Sequence, residues 1–486
     1  MQPEDRYVSP LSSRNASAEM QAIWSPRKKF TTWRRLWVVL AEAEHELGLG
    51  VTAEQVAALR AKVDDLDLGA AAAYEKKLRH DVMAHVHAYG DVVPEARGII
   101  HLGATSQYVN CNAELLLIRE ALELVAGKLA SAIDRLSRFA AAQRSVATLG
   151  FTHMQPAQPT TVGKRACLWV QELSIGLEEV EHRIDRLRLR GVKGTTGTQA
   201  SFLALFRGLA GVDEAEAHRR VERLDELVVE KLGWPADRRL VISGQTYPRV
   251  VDGLVASSLG AVAAAAHKCA LDLRLLASRK EIEEPFEKDQ IGSSAMAYKR
   301  NPMRSERICG LSRFVMGMIQ TPFVTAAEQW MERTLDDSST RRLTLPEPFL
   351  AIDGVLDLLN NVAEGLVVYP EVIRKNLQAE LPFMATEEIL MAAAARGVDR
   401  QDAHEAIRRH SMAAAARVKE EGAANDLIDR LKTDALFEGV DLGLALEVDR
   451  FVGRAPEQVD GFIAEVVEPI RRRYADRLGY GVSLKV

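Results

Sequence analysis

Cysteine is scarce in this sequence, and its placement excludes two kinds of scaffold. The four cysteines are Cys111, Cys167, Cys269 and Cys309. They are widely separated and form no C-x-x-C pair, which argues against a disulfide framework and against a zinc knuckle. Cysteines used in this way indicate a reduced compartment, and we expect a cytoplasmic protein.

An excess of charge of one sign is also lacking. The chain of 486 residues has 63 basic and 68 acidic side chains and a net charge of −5, so it has no overall field that would attract nucleic acid or an anionic membrane. The N-terminal residues are polar and lack the apolar region of a secretory signal. The Ala-rich run 259–266 is shorter than the roughly 18 residues that cross a bilayer. We expect neither a nucleic-acid nor a membrane partner.

Strand signals are few, whereas helical spacing recurs along the chain. The shorter periodic segments cover residues 30–48, 52–63 and 70–89. From Leu115 to Phe139 the apolar residues follow a heptad pattern for about three and a half heptads. Longer segments follow near 162–190, 247–279, 303–332 and 348–367. Helices of this length pack side by side in a bundle, and their apolar faces exceed what one chain covers, which indicates oligomerisation.

These patterns predict an all-α protein with three helical domains. The first comprises residues 1–105, and the second is a central long-helix bundle at 106–368. The third covers 369–486, because shorter helices with charged faces begin after Tyr369-Pro370.

Three polar segments interrupt the apolar pattern near the ends of predicted long helices. They are HLGATS at 101–106, GFTHMQP at 150–156 and IGSSAMAYKRNP at 291–302. A bundle can bring such ends together, and helix N-termini favour anionic ligands. The alternatives are ordinary solvated connectors and, for 150–156, a helix–helix turn with a hydrogen-bonded histidine.

Several other patterns were weighed for chemistry. His80, His85 and His87 lack an H-E-x-x-H arrangement and a third-ligand pattern, so we predict no metal site. No phosphate-binding P-loop occurs. The run 333–342 contains three arginines, whose guanidinium groups suit a phosphate or a carboxylate; a solvated charge run at a helix end is the alternative.

Together, the three polar segments resemble the signature segments of the fumarase/aspartase superfamily. Further stretches resemble its purine-nucleotide branch, of the vertebrate-like type; they include LRHDVMAHVH, EEPFEKDQIGSSAM, RTLDDSS and ELPFMATE. The resemblance implies a homotetramer around a central helical bundle, with each active site shared between subunits. It also implies β-elimination of fumarate, with cleavage of a C–N bond, from adenylosuccinate and from succinyl-aminoimidazole-carboxamide ribotide, without cofactor or metal.

A β-elimination needs a base, stabilisation of the resulting carbanion beside a carboxylate, and an acid for the leaving nitrogen. By resemblance, Ser293 is the base and Lys299 the cation that activates it. His153 is the acid, and Glu306 is the partner of that histidine.

The same resemblance supplies the substrate-binding candidates. Those for the succinyl group are Thr105, Ser106, Thr152, Gln245 and Asn301. Those for the nucleotide and its phosphate are Arg14, His80, Asp81, Arg307, Arg333, Ser338 and Arg342, and Asn15, Arg79 and His101 complete the set.

Two positions depart from the family pattern, and three other functions were considered. Asn15 stands where the vertebrate-type pattern has tyrosine, and Ala297 stands where the loop usually has proline. A sibling lyase acting on argininosuccinate, aspartate or malate is the first alternative, although it would not need the arginine-rich run. A non-catalytic helical oligomer and a metal-dependent hydrolase built on the three histidines are the others.

Overall fold

A computed structural model describes residues 5–443, 446–479 and 481. Within these residues the chain is mainly helical, with two short two-stranded sheets, so the predicted all-α class is confirmed. The N-terminal part begins with one π-helical turn, Leu11–Asn15, before the first α-helices. These are α1 (Ala18–Ile23), α2 (Pro26–Glu46), α3 (Ala53–Ala61), α4 (Leu68–Leu78) and α5 (Asp81–Val92).

The boundary between α4 and α5 corrects the single helix predicted for 70–89. Arg79 closes α4 in the left-handed region with a φ of 57°. His80 then caps α5, where its Nδ1 accepts a hydrogen bond of 3.3 Å from the backbone N–H of Met83. No glycine or proline marks this break, and the apolar periodicity of the sequence continues across it. The sequence therefore predicted one helix instead of two.

Long helices form the centre of the molecule. They are α6 (Ser106–Ala142), α7 (Val162–Arg186), α10 (Val250–Ser278), α11 (Met303–Gly317) and α14 (Pro346–Glu364). The shorter helices between them are α8 (Ala200–Arg207), α9 (Glu214–Lys231), α12 (Gln320–Ala327) and α13 (Asp337–Thr344). The predicted heptad seam is confirmed, since it lies within α6 and its residues from Leu115 to Leu136 are buried.

A β-hairpin occupies the second polar segment, where the sequence suggested only a helix end or a turn. Strands β1 (Ala147–Thr152) and β2 (Gln155–Thr161) pair in antiparallel fashion. The two turn residues, His153 and Met154, have φ values of 52° and 61°, which is the backbone of a tight two-residue hairpin turn. The pairing shifts at Gly150, where a Cβ atom would lie 2.4 Å from the carbonyl oxygen of Gln158.

A second, shorter sheet joins the central helices to the C-terminal part. Strand β3 (Ile282–Glu283) pairs with β4 (Val367–Val368) in antiparallel fashion. The helices that follow are α15 (Pro370–Met384), α16 (Thr386–Ala395), α17 (Arg400–Ala416), α18 (Leu427–Lys432), α19 (Ala455–Phe462) and α20 (Glu468–Arg473).

The described residues bury their apolar side chains in three clusters. The central cluster joins α6, α7, α10 and α14, and side chains of α19 and α20 also pack in it. The second joins α2, α3 and α5 with α8 and α9, and the third joins α16, α17 and α18. The predicted domain boundaries at 105 and 368 remain predictions.

Among the described helices, α10 alone is long and apolar enough to span a membrane by length and composition. Its most apolar window has a mean hydropathy of 1.5, and 61% of that window is buried inside the protein. It therefore packs as a core helix of the bundle.

Glu44 of α2 is an acidic side chain that, in the described part of the chain, is buried without a hydrogen-bond partner. Its side chain is fully buried, and neither carboxylate oxygen has a hydrogen-bond partner among the described residues. Burial raises the pKa of Glu44 to about 9, because the charged form cannot be solvated there.

We expect Glu44 to make stability fall as the pH rises. Between the ordinary carboxyl pKa and about 9 the folded state holds a proton that the unfolded state has lost, so the free energy of unfolding decreases by up to roughly 1.4 kcal/mol per pH unit. Glu44→Gln removes this dependence, and its melting temperature should exceed that of the native protein increasingly from pH 6 to pH 9. Glu46→Gln, in the same helix but in an exposed ion pair with Lys231, is the control. Parallel pH profiles for the native protein and Glu44→Gln would contradict the prediction.

Candidate active site

Seven of the predicted substrate-binding residues line one cavity of about 390 Å³, which we call the basic pocket. They are Arg79, His80, Asp81, Ser106, Arg333, Ser338 and Arg342. The break between α4 and α5 supplies the first three, the first residue of α6 supplies the serine, and α13 with the residues before it supplies the rest. The break that the sequence did not predict thus places three of these side chains.

Two buried arginines form the floor of the basic pocket. The Nε of Arg249 donates to Asp337 at 2.7 Å, and the Nε of Arg341 donates to Asp252 at 2.6 Å. Arg341 also forms an ion pair of 2.8 Å with Glu114. Burial by itself would raise the pKa of Glu114, but Arg341 and Arg249 outweigh burial and lower it. Carboxylates beneath the pocket neutralise both arginines, so the main effect of the arginines is to fix the shape of the pocket.

The side chains at the rim are held more loosely. The Nη1 of Arg333 donates to Gln245 Oε1 at 2.9 Å, which places that predicted residue at the edge of the pocket. Arg342 lies 3.6 Å from Asp81, and its side chain is 65% exposed. Arg342 therefore keeps most of its charge available to a ligand.

Two predicted residues of the first polar segment do not line this pocket. His101 accepts a hydrogen bond of 2.9 Å on Nδ1 from the Trp37 indole. Burial, with a contribution from His80, lowers the pKa of His101 to about 4, so the ring is neutral and supports the core. Thr105 precedes α6, and its side chain makes no capping hydrogen bond there.

The third polar segment forms a compact loop. The Nδ2 of Asn301 donates to the carbonyl of Gly292 at 2.7 Å, which closes the loop at its base. The Oγ of Ser293 accepts from the N–H groups of Ala295 and Met296 at 3.3 and 3.1 Å. Two such donors favour a negatively charged oxygen at that position. Lys299 is exposed on the same loop.

A buried carboxylate attaches the segment that precedes the loop to α11. Glu284 accepts hydrogen bonds of 2.9 Å from the backbone N–H groups of Arg304 and Ser305 and from the Ser305 hydroxyl. Burial raises the pKa of Glu284 against the effect of these donors. Glu306 lies one residue further along, in the first turn of α11, and is exposed.

The N-terminal candidates meet α11 near this loop. The Nη2 of Arg307 donates to Asn15 Oδ1 at 3.1 Å, and Asn15 Nδ2 donates to the carbonyl of Pro10 at 2.8 Å. Burial, and then the charges of Arg14 and Arg304, lower the pKa of Arg307. The Asn15 departure thus has a role in this chain, because its amide holds the arginine.

A buried ion pair fixes the backbone that carries these residues. Lys128 of α6 lies 2.5 Å from Asp353 and 2.7 Å from Asp357, both on α14. The second oxygen of Asp353 accepts a hydrogen bond of 2.6 Å from the N–H of Ser17. The segment containing Arg14 is therefore attached to two long helices at once.

The hairpin presents Thr152 and His153 at its exposed tip. Among the described residues, no hydrogen bond to the His153 ring is formed, so the predicted pair with Glu306 is not made within one chain. The Phe151 ring lies 4.7 Å from the guanidinium of Arg279, directly after α10. This contact fixes the hairpin at the C-terminal end of that helix.

The predicted residues lie at two opposite ends of α10. Arg249, just before the helix, lines the basic pocket, whereas Arg279 contacts the hairpin. The 29 residues between them span about 44 Å at 1.5 Å per residue. Loop 291–302 is at the hairpin end, since Arg300 lies 3.5 Å from Glu283 in β3. Within a single chain, the first polar segment therefore lies at the opposite end of the bundle from the second and third.

Other pocket residues were not predicted from the sequence. They include Lys29, Glu75, Asn110, Glu114, Arg249 and Arg341. Arg341 stood in the arginine-rich run beside Arg342, but adjacent helical residues point about 100° apart, and the pattern did not indicate which one is buried. The others belong to regular helical stretches and carried no separate signal.

The three histidines that suggested a metal site have different environments. His80 caps α5, the His85 ring stacks on Phe30 at 3.8 Å, and His87 contacts Tyr74 and Arg97. Their rings do not converge on one point, so the geometry does not favour a metal-dependent hydrolase.

The chain matches known protein families over nearly its whole length. A model of the family described as lyase matches residues 11–317, and one described as adenylosuccinate lyase C-terminus matches residues 382–462. Adenylosuccinate lyase of Saccharomyces cerevisiae is 53% identical over 95% of both chains. That of Schistosoma mansoni is 45% identical over 99% of both chains. The chain belongs to the adenylosuccinate lyase family.

Solved structures show how widely the fold of the adenylosuccinate lyase family is used. A 3-carboxy-cis,cis-muconate lactonizing enzyme from Pseudomonas putida superposes with a TM-score of 0.80 at 25% identity, covering 96% of this chain and 99% of that one. A fumarate lyase from Mesorhizobium sp. BNC1 gives 0.78 at 21% identity, covering 95% and 100%. These likenesses confirm the superfamily fold predicted from the sequence.

Ala297 provides a test of the loop. Lys299 N–H donates to the Met296 carbonyl at 3.0 Å, so Ala297 is the second residue of a β-turn, a position that favours proline. Ala297→Pro should reduce the conformational entropy of the open loop and thereby stabilise the closed loop by about 0.4–1 kcal/mol. It should slow proteolytic cleavage in 291–302 and change kcat without abolishing it. Ala295→Pro is the contrasting control. It removes the N–H group that donates a hydrogen bond to Ser293, so it should reduce kcat strongly. Unchanged proteolysis and kinetics in Ala297→Pro would disprove this account of the loop.

Proposed function

We propose that this protein eliminates fumarate from adenylosuccinate, giving AMP, and from succinyl-aminoimidazole-carboxamide ribotide, giving the free carboxamide ribotide. Membership of the adenylosuccinate lyase family carries the proposal. The cation-rich basic pocket supports it, because a nucleotide phosphate needs such a site. A sibling lyase acting on an amino acid derivative without phosphate would not need one.

Ser293 removes the proton beside the substrate carboxylate in the proposed mechanism. A serine hydroxyl is a poor base in water and needs activation. Here the N–H groups of Ala295 and Met296 point at its oxygen, and Lys299 supplies a positive charge on the same loop. The electron pair left on carbon moves into the carboxylate, where cationic and N–H donors stabilise the added charge.

His153 protonates the departing nitrogen in the second half of the reaction. Its position at a tight hairpin tip lets the ring extend from the subunit surface, and an imidazole donates protons near neutrality. Glu306 orients this ring from another subunit. Ser293 takes one proton from the substrate carbon and His153 gives one to the nitrogen, while the C–H electron pair becomes the new C=C bond and the C–N pair leaves with the nitrogen. No electrons enter or leave the substrate, so the proposal needs neither a cofactor nor a metal.

The active site is shared between subunits of a homotetramer in this proposal. The basic pocket and the loop lie about 44 Å apart along α10, so one chain cannot hold both against one small substrate. The subunits associate through a face of α7 and α10 that is apolar yet exposed, comprising Leu168, Ile175, Leu271 and Leu275. Antiparallel packing of two such faces places the pocket of one subunit beside the loop of another.

The remaining expectations complete the proposal. The substrates are small nucleotides, the protein acts in the cytoplasm, and neither nucleic acid nor a membrane is a partner.

One prediction of this proposed function concerns activity. Purified protein incubated with adenylosuccinate should release equimolar AMP and fumarate, measured by chromatography and by the change in ultraviolet absorbance. Ser293→Ala and His153→Ala should each lose about 10²- to 10⁴-fold in kcat, the usual effect of removing a general base or acid. Ser294→Ala, next to the base, should stay near the native rate. Full activity of Ser293→Ala would overturn the mechanism, and turnover of argininosuccinate alone would overturn the substrate.

Another prediction concerns the sharing of active sites between subunits. In this proposal, Ser293 and His153 of one active site come from different subunits. Inactive Ser293→Ala and His153→Ala proteins, mixed under conditions that allow subunit exchange, should therefore recover up to about a quarter of native activity, because random tetramers contain some sites with both native residues. Each variant treated alone is the control. Absence of recovery, with exchange verified by native mass spectrometry of differently tagged subunits, would show that both residues come from the same chain.

A further inference from the structure

Lys29 lines the basic pocket from the first turns of α2. Its ammonium lies 5.4 Å from the centre of the Phe30 ring and 5.1 Å from that of Trp33. These rings limit access of water from one side, so the charge faces into the pocket.

This lysine differs from the two buried arginines of the pocket in having no carboxylate of the described residues within ion-pair distance. Within residues 5–443, 446–479 and 481, no carboxylate oxygen lies within 4.0 Å of its ammonium, whereas Arg249 and Arg341 each have a carboxylate partner. Desolvation lowers the pKa of Lys29, and Arg342 adds to this effect, although the more distant charges of Glu114, Asp81 and Glu75 oppose it. A bound anion would supply the missing stabilisation.

The pocket as a whole carries an excess of positive charge. The cationic lining residues are Lys29, Arg79, Arg249, Arg333, Arg341 and Arg342, and the anionic ones are Glu75, Asp81, Glu114 and Asp337. Asp252 binds Arg341 from beneath the lining, so six positive and five negative side chains leave one positive charge uncompensated before a ligand binds. This excess of cations suits an anionic group, and a phosphate monoester carries about −1.5 to −2 at neutral pH.

We propose that Lys29 is a further substrate-binding residue whose ammonium donates to the phosphate of the nucleotide in the basic pocket. The inference rests on the proposed function for the identity of the nucleotide. It assigns the phosphate to the end of the pocket bounded by α2, and it assigns Lys29 to ground-state binding, because the phosphate is remote from the bond that breaks.

Kinetics of Lys29→Met test the proposal. Loss of one charged hydrogen bond should raise KM for adenylosuccinate, and the inhibition constant of AMP, by on the order of 10- to 100-fold. The value of kcat should stay within about threefold, because the interaction is equal in the ground and transition states. The inhibition constant of fumarate, which has no phosphate, should not change. Lys29→Arg keeps the charge and should lose much less affinity for AMP.

Lys28→Met is the matched control, because Lys28 is adjacent but forms an ion pair of 2.8 Å with Glu120 outside the pocket. It should bind AMP as the native protein does. Circular dichroism and native mass spectrometry check folding and assembly, and Lys29→Gln repeats the test if the methionine variant fails to assemble. An unchanged inhibition constant for AMP would overturn the proposal. Equal weakening of AMP and fumarate would also overturn it, because that result assigns Lys29 to the carboxylates or to the general shape of the site.

Inorganic phosphate separates this inference from the proposed function. Calorimetric titration of the native protein and of Lys29→Met with phosphate should show weaker binding to the variant. If the native protein binds phosphate through Lys29 but does not convert adenylosuccinate, the proposed function fails and the anion site stands. If adenylosuccinate is converted and phosphate binds both proteins equally, the inference fails and the function stands.

Discussion

The length of the central helices is the constraint on which the rest of the molecule depends. Helices α6 and α10 both begin beside the basic pocket, with Ser106 and Val250. They extend to the end of the molecule where the hairpin and loop 291–302 lie. A packed helix cannot shorten, so the distance of about 44 Å along α10 is fixed. The candidate binding residues of the basic pocket and the candidate reacting residues of the loop and hairpin therefore lie at opposite ends of a rigid body, and in the proposed mechanism they meet through the assembly of subunits.

Arginine has two physical roles within this frame, and burial with pairing distinguishes them. Arg249 and Arg341 are buried and bound to carboxylates, so removing a partner would leave an uncompensated charge at a high cost. Arg342 is largely exposed, and Lys29 has no carboxylate within ion-pair distance among the described residues. The first kind gives the pocket its shape, and the second kind gives it the positive charge that a ligand can neutralise. Net charge over the whole chain is slightly negative and conceals this local excess.

Regular periodicity accounts for what was predictable from the sequence. The seam of α6 repeats apolar residues over many turns, and the Thr52–Gln55 capping box begins α3 where its sequence indicates. The break after Arg79 was not predictable, because a left-handed arginine and a histidine cap leave no glycine or proline signal. The hairpin was hidden in the same way: His153 and Met154 form its turn instead of the usual Asn-Gly, and β2 contains prolines that argue against a strand. Both misses lie at candidate functional residues, where local rules are most often broken.

The division of the molecule into two ends also suggests how one fold serves different acids. The superfamily fold is shared by proteins named for muconate derivatives and for fumarate, so the bundle itself does not select a substrate. In this chain the pocket end holds the excess of cations that suits an anionic ligand, whereas the loop end holds Ser293, Lys299 and the N–H groups that donate to the serine. A change at the pocket end alters what is bound without disturbing the loop, because the two are joined only through rigid helices. Asn15 shows how a departure from the family pattern is accommodated at the loop end: its amide holds Arg307, while Asp353 keeps the neighbouring backbone in place, so in this chain the departing side chain itself positions the arginine.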